Sequence, residues 1–194
     1  MSMYHDGNRD LQDLFGSRAL ADRLAERLRR SEFTDEDSAL IGSLEFFFLA
    51  TATPIGQPDC SFKGGSPGFV RVMAPDLLVW PDYDGNGMFK SLGNIAVNPS
   101  VGLLFIRFGE KPKRLRVNGR ATVSIDDPLQ AEFPGAQAIV RVTPVDIFPN
   151  CPRYIPDVEN AKASPYLPEA REAPVEPAWK SWDMFNDVVP PRKA

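Results

Sequence analysis

The sequence predicts a mainly β protein, a small antiparallel barrel preceded by helices and interrupted by one inserted helix. Three observations carry this. From Glu45 onward, short apolar runs recur at spacings of about ten residues, separated by Gly, Pro and Asp turns. Helical periodicity is confined to the N-terminal region and to one stretch between two of those runs. The 194 residues, 43% hydrophobic and 25% charged, are enough for the core of one soluble domain.

The elements follow in order. Leu11, Leu14, Phe15, Leu20, Leu24 and Leu28 keep helical spacing, with Arg and Glu between them, and predict one amphipathic helix from Leu11 to Leu28. The residues before it, MSMYHDGNRD, read as a frayed polar terminus. A second short helix is expected from Asp35 to Ser43, with Thr34 as its N-cap and acidic residues in the first turn. Glu45 to Thr53, EFFFLATAT, reads as a buried strand. Further strands are expected at CSFKG, GFVRVMA, LLVW, VGLLFIRF, KRLRVNGRATVSI and AIVRVTPVDIF. A helical segment from Gly87 to Val97 lies between LLVW and VGLLFIRF. The expected organisation is a single domain over 1–194, with a helical segment at 1–43, a barrel core at 44–148 and a Pro-rich extension at 149–194. Ten of the 19 prolines fall from Pro144 onward, where missing donors and fixed φ oppose regular structure.

Composition narrows the function classes. A net charge of -4 disfavours nucleic acid as a partner of the whole chain. Two cysteines, Cys60 and Cys151, cannot make a disulfide framework and suit a reducing compartment. No apolar run is long enough for a membrane helix, and the polar N-terminus is no signal peptide, so a cytoplasmic protein is expected. His5 is the single histidine. Ser-His and Cys-His nucleophile pairs and His-rich zinc sites thereby lose their usual residue, which points an enzyme toward a cofactor.

Asp82 to Gly87, DYDGNG, satisfies the first half of a calcium-loop pattern. The second half fails: the position due for a bidentate carboxylate is Gly93, the ninth is Lys90, and the preceding LLVW reads as a strand rather than a helix. No metal is expected. In KRLRVNGRA, a period of two places Arg114, Arg116, Asn118 and Arg120 on one face and Leu115, Val117, Gly119 and Ala121 on the other. The cationic face suits a solvated edge strand or an anion site. Lys90 and Ser91 stand at a helix start, where free N–H groups and the dipole favour a phosphate, although such residues are common there. In SFKGGSPGF, Ser61 and Lys63 alternate with Phe62 before Gly64-Gly65, a pattern equally at home in an ordinary hairpin.

These segments, in this order, resemble the FMN-binding split barrel of the pyridoxamine 5'-phosphate oxidase-like family. The resemblance rests on Asp82, Gly85-Asn86, Ser91-Leu92-Gly93-Asn94-Ile95, Asn98-Pro99, Val101-Gly102-Leu103-Leu104-Phe105 and Arg114-Leu115-Arg116-Val117-Asn118-Gly119-Arg120-Ala121, and on the later IFPNCPRYI. It implies a split antiparallel β-barrel and a homodimer with FMN at the subunit interface. Lys90, Ser91 and Lys63 would hold the phosphate, and Ser61 and Phe62 would run beside the flavin ring. Arg114 or Arg116 would reach the ring's polar edge, Asp82 and Tyr83 would lie near the ribityl chain, and Asn86 and Asn94 complete the implied set. The chain lacks the Trp-rich segment and the R-L-H-D-R type ending of the vitamin-making oxidases, which argues against pyridoxamine phosphate as substrate. In their place stand NCPRY and PAWKSWDMFND. Cys151 and Arg153 are candidates to approach the cofactor across a dimer, with a small buried residue the plainer reading of Cys151. Trp179, Trp182, Met184 and Phe185 could pack on a subunit or on the flavin. The resulting expectation is an FMN-dependent oxidoreductase acting on a small molecule. The alternatives are a non-catalytic flavin-binding or stress-related protein, or the same barrel carrying a deazaflavin or haem.

Overall fold

A computed structural model of the chain describes residues 3–158 and 178–189. They divide into two compact units, one drawn from 30–107 and 111–151 and the other from 1–29, 108–110 and 152–194.

The larger unit holds the sheet. After helix α3 (Asp35–Gly42) come β1 (Phe46–Ala52), β2 (Pro58–Gly64), β3 (Arg71–Ala74) and β4 (Leu77–Tyr83). Helix α4 (Lys90–Val97), β5 (Ser100–Arg107), β6 (Lys113–Ser124), a 3-10 turn at Pro128–Glu132 and β7 (Ala136–Asn150) follow. The seven strands are antiparallel in the order β2-β1-β5-β6-β7-β4-β3. The sheet curls until its first edge faces the region of its last. Phe47 of β1 meets Trp80 of β4 edge-to-face at 5.1 Å, although three strands separate them in the sheet. No backbone ladder joins β2 to β4 or β3, so the barrel is closed by side chains and remains split. Phe47, Leu49, Leu103, Phe105, Leu115, Val117, Val140, Val142 and Ile147 fill its interior. Burying such side chains is worth roughly 1.5–3 kcal/mol each before conformational entropy is counted.

Local sequence explains the interruptions. Pro81 lies within β4 but past the last residue that pairs with β3, so its missing N–H removes no ladder bond on that side. At Gly119 the β6/β7 register shifts, and a Cβ would sit 2.5 Å from the Thr143 carbonyl oxygen, so only glycine fits. Thr34 caps α3 as expected, its hydroxyl accepting from the Asp37 amide at 3.2 Å. The buried Asp37 accepts in return from the Thr34 amide at 2.9 Å and is gripped by Arg30, whose backbone pairs with Ile147. Burial pushes the Asp37 carboxyl up, but Arg30 and Thr34 pull it down further, leaving it below the usual range.

In the smaller unit the expected single helix is two, α1 (Asp6–Leu14) and α2 (Arg18–Leu28). Gly16, at φ 63°, ends the first helix, and the apolar stripe of the second starts out of phase with that of the first. The stretch read as frayed is largely the start of α1, with His5 as N-cap donating its amide to Asn8 at 3.1 Å. Near the C-terminus, Phe185 is buried and meets Trp179 edge-to-face, while Arg23 of α2 bonds Asp187 and the Met184 carbonyl. The Arg153 guanidinium lies 5.9 Å from the rings of both Tyr154 and Trp179. Trp182 and Met184 are exposed. Much of the Pro-rich extension lies outside the described residues. Among those described, no helix is long and apolar enough to cross a membrane.

Candidate functional site

The split in the barrel is a cavity of about 470 Å³ walled by β2, the end of β4, the loop after it and the start of α4. This is within the usual size range for small-molecule sites. Strand alternation aims Ser61 and Lys63 to one side of β2 and Cys60 and Phe62 to the other, and all four border the cavity. Ser61 Oγ lies 3.0 Å from Ser91 Oγ, joining the first turn of α4 to the strand. Deeper in α4, Asn94 donates to Thr51 Oγ1 of β1 at 2.9 Å, and Asn98 bonds the Thr53 carbonyl. The helix is thus seated on β1 and β2, and the position of its N-terminus is fixed.

The loop that enters α4 is shaped for this. Asn86 Oδ1 accepts from the Met88 amide at 3.0 Å, a side-chain turn, and Gly87 takes φ 72°. Phe89 follows at φ 47°, one of two non-glycine residues with positive φ among those described, and caps α4 with no side-chain bond. Phe89 has no side-chain oxygen with which to cap the first-turn amides of α4. DYDGNG is a turn that delivers the chain into a helix start. No group of three His, Cys, Asp or Glu suited to a metal occurs among the described residues.

At the other end of the wall, Asp82 is buried at 8% exposure. Gln137 Nε2 donates to Asp82 Oδ2 and to the Tyr83 carbonyl, both at 3.0 Å. Lys63 Nζ stands 3.7 Å from Asp82 Oδ1.

Ser61, Phe62, Lys63, Asp82, Tyr83, Asn86, Lys90 and Ser91 thus meet around one cavity. Three of the expected residues do not reach it. Asn94 turns inward to Thr51. Arg114 and Arg116 sit on the outer face of β6, where Arg114 donates to the Cys151 carbonyl at 2.7 Å and Arg116 lies 6.0 Å from the Phe148 ring. Cys151 is half-buried. The alternation read for β6 holds: Leu115, Val117, Gly119 and Ala121 are buried, and Arg116, Asn118 and Arg120 are exposed. Sequence reading missed Gln137 and Cys60. Gln137 is placed by a β4/β7 register shift, Asp82 opposite Ala138 and Tyr83 opposite Ala136, which no local motif announces.

The outer face has its own order. The register aligns Phe62, Phe48, Leu104, Arg116 and Phe148 in one row across five strands. Phe62 is 62% exposed and belongs to both this row and the cavity rim.

Among solved structures, HupZ from Group A Streptococcus is 17% identical over 68% of this chain and 98% of that one, with a TM-score of 0.48. General stress protein 26 from Bacillus anthracis str. Sterne is 16% identical over 69% and 95%, at 0.44. An FMN-binding protein from Syntrophomonas wolfei subsp. wolfei is 11% identical over 75% and 96%, at 0.45. Likenesses this loose bear on neither ligand nor activity. No curated protein matches the chain. The sequence model of the pyridoxamine 5'-phosphate oxidase family matches residues 33–157, most of the chain and nearly all of the barrel. The split barrel and this match together place the chain in the pyridoxamine 5'-phosphate oxidase family.

Proposed function

We propose that the chain binds FMN in the β2/α4 cavity, at the interface of a homodimer, and works as an FMN-dependent oxidoreductase on a small molecule. The observation that carries this is the convergence of Ser61, Ser91, Lys63, Lys90 and an uncapped helix start on one cavity with an exposed aromatic rim. A phosphate monoester carries a charge of about −1.5 to −2 and needs donors from several directions. Two hydroxyls, two ammonium groups and the α4 amides supply them. Phe62 offers a flat apolar surface for a ring. The residues therefore fit the group.

When bound, the flavin supplies hydride chemistry that none of these side chains could perform. The chain's own part is to anchor the phosphate, hold the ring against β2 and keep water from its face. The row from Phe62 to Phe148 is the surface that a second copy would cover. Pairing across it would bring Arg116 of one protomer toward the other's flavin edge, where a cation favours the reduced ring. A cytoplasmic setting accords with the free thiols of Cys60 and Cys151.

The purified protein is expected to be yellow, with the two visible bands of flavin. A single band at shorter wavelength would assign a deazaflavin instead, and a sharp Soret band haem. Anaerobic reduction by NADH or NADPH faster than that of free FMN is the result expected of an oxidoreductase; reduction no faster supports a passive flavin carrier. The Lys90→Ala, Arg116→Ala double variant should remain a folded but colourless dimer by sedimentation. Full flavin occupancy in that variant would contradict the placement.

A further inference from the structure

The loop from β4 to α4, Asp84 to Phe89, is fastened at its ends and hardly anywhere between. Before it, the Tyr83 carbonyl accepts from Gln137; after it, Ser91 bonds Ser61 and Asn94 bonds Thr51. Along the loop itself the Asn86 side chain accepts from the Met88 amide and the Phe89 carbonyl accepts from the Gly93 amide, and among the described residues no other hydrogen bond is made. Every residue of the loop is exposed. Few bonds and full exposure put such a segment at the low-stability end of a fold.

Its sequence suits movement. Gly87 stands at φ 72°, where glycine is the natural residue, but Gly85 has neither a positive φ nor any atom within 4 Å of where a Cβ would be. Neither conformation nor packing asks for glycine at 85, so what it supplies is backbone freedom. At the other end Phe89 holds φ 47°, which is costly for a residue with a Cβ, and no side-chain cap bond rewards it. Met88 and Phe89 are also 69% and 53% exposed, although both border the cavity. Nothing in this open position offsets the strain or the exposure of two large apolar groups.

We propose that Asp84 to Phe89 is a strap that closes over the occupied cavity. Rotation at Phe89, absorbed by Gly85 and Gly87, carries Met88 and Phe89 out of water and onto the ring of a bound aromatic phosphate, while the start of α4 stays seated on β2. Release of the ligand then waits on the strap. This rests on the reading of the cavity as a site for an aromatic phosphate, but not on that ligand being a flavin.

Hydrogen exchange followed by mass spectrometry tests it on the purified protein stripped of bound flavin, with FMN, 4-nitrophenyl phosphate and inorganic phosphate as probes. FMN or 4-nitrophenyl phosphate should slow the amides of 85–89 by about tenfold or more, and inorganic phosphate, which presents no ring, should slow them less. Stopped-flow binding of the aromatic probe separates a moving strap from a rigid wall. Gly85→Ala meets no neighbour and should fold, yet it should slow association and release together by about threefold. Met88→Ala should speed release about fivefold and leave the affinity for inorganic phosphate unchanged. Strap amides that exchange alike with and without the aromatic probes, or variant rates equal to those of the wild type, overturn the strap. Should 4-nitrophenyl phosphate slow the strap while FMN fails to bind, the strap stands and the flavin reading falls. Should FMN bind without slowing the strap, the reverse holds.

Discussion

Asp127 and Asp82 are buried almost equally, at 7% and 8% exposure, yet their surroundings differ. Asp127, at the corner between β6 and the 3-10 turn, is gripped by Arg141 through Nε at 2.6 Å and Nη2 at 2.9 Å, and by the Leu129 amide at 3.0 Å. Arg141 holds its carboxyl below the usual range, against the upward push of burial. Asp82 has one hydrogen-bond donor and a lysine just out of reach. The first carboxylate is saturated by the fold; the second is fixed in place with an oxygen facing a cavity. That oxygen opens onto the cavity, where water or a bound group can complete its hydrogen bonding.

The apolar residues repeat the contrast and give the largest expected effect. Phe47 is fully enclosed among Phe69, Trp80 and Phe105, whereas Phe62 stands on the outer row. Phe47→Ala should cost about 4 kcal/mol of unfolding free energy in urea. Phe62→Ala should cost under about 1 kcal/mol in the isolated protomer and instead weaken dimer formation and flavin binding. Equal stability losses would erase the distinction between wall and rim. Next comes the carboxylate pair: Asp127→Asn should destabilise by about 2 kcal/mol, less than a wholly buried pair because Arg141 is partly exposed. Asp82→Asn should barely move the denaturation midpoint.

The smallest effect is the pH dependence. The carboxyls of Asp37 and Asp127 are both depressed, so the stability they contribute is present above the ordinary aspartate range, near pH 4, and is lost as pH falls through their lowered values. The acid limb of thermal stability should be shallower in Asp37→Asn and Asp127→Asn than in wild type. An unchanged limb would show that neither ion pair differs between folded and unfolded chains.

Much of the barrel was legible because strand alternation is a local property. KRLRVNGRA sorts its arginines from its apolar residues without reference to any other segment, and the structure keeps that sorting. Ser61, Lys63, Lys90 and Ser91 were legible for a related reason, since β2 and the α4 start carry their donors in compact clusters, whereas Asp82, Tyr83 and Asn86 came from the family resemblance. What the sequence hid is set by tertiary geometry. Leu11, Leu14 and Phe15 before Gly16 and Leu20, Leu24 and Leu28 after it each keep helical spacing, but the second stripe starts half a turn out of phase with the first, a break that counting spacings run by run passes over. Gln137 reaches Asp82 only because β4 and β7 slip register there. Asn94 enters the implied set through the resemblance, and at its helical position it donates to Thr51 of β1.

The central claim is that the cradle at the start of α4 holds a phosphate ester. Fluorescence titration of the flavin-free protein with FMN and with riboflavin tests it most directly. The wild type should favour FMN, and Lys90→Ala should narrow that preference by tenfold or more, since a hydrogen bond to a charged group is worth about 1.5–3 kcal/mol, while leaving riboflavin affinity unchanged. Equal affinity for the two flavins in the wild type, or an FMN preference that survives Lys90→Ala intact, would contradict the account.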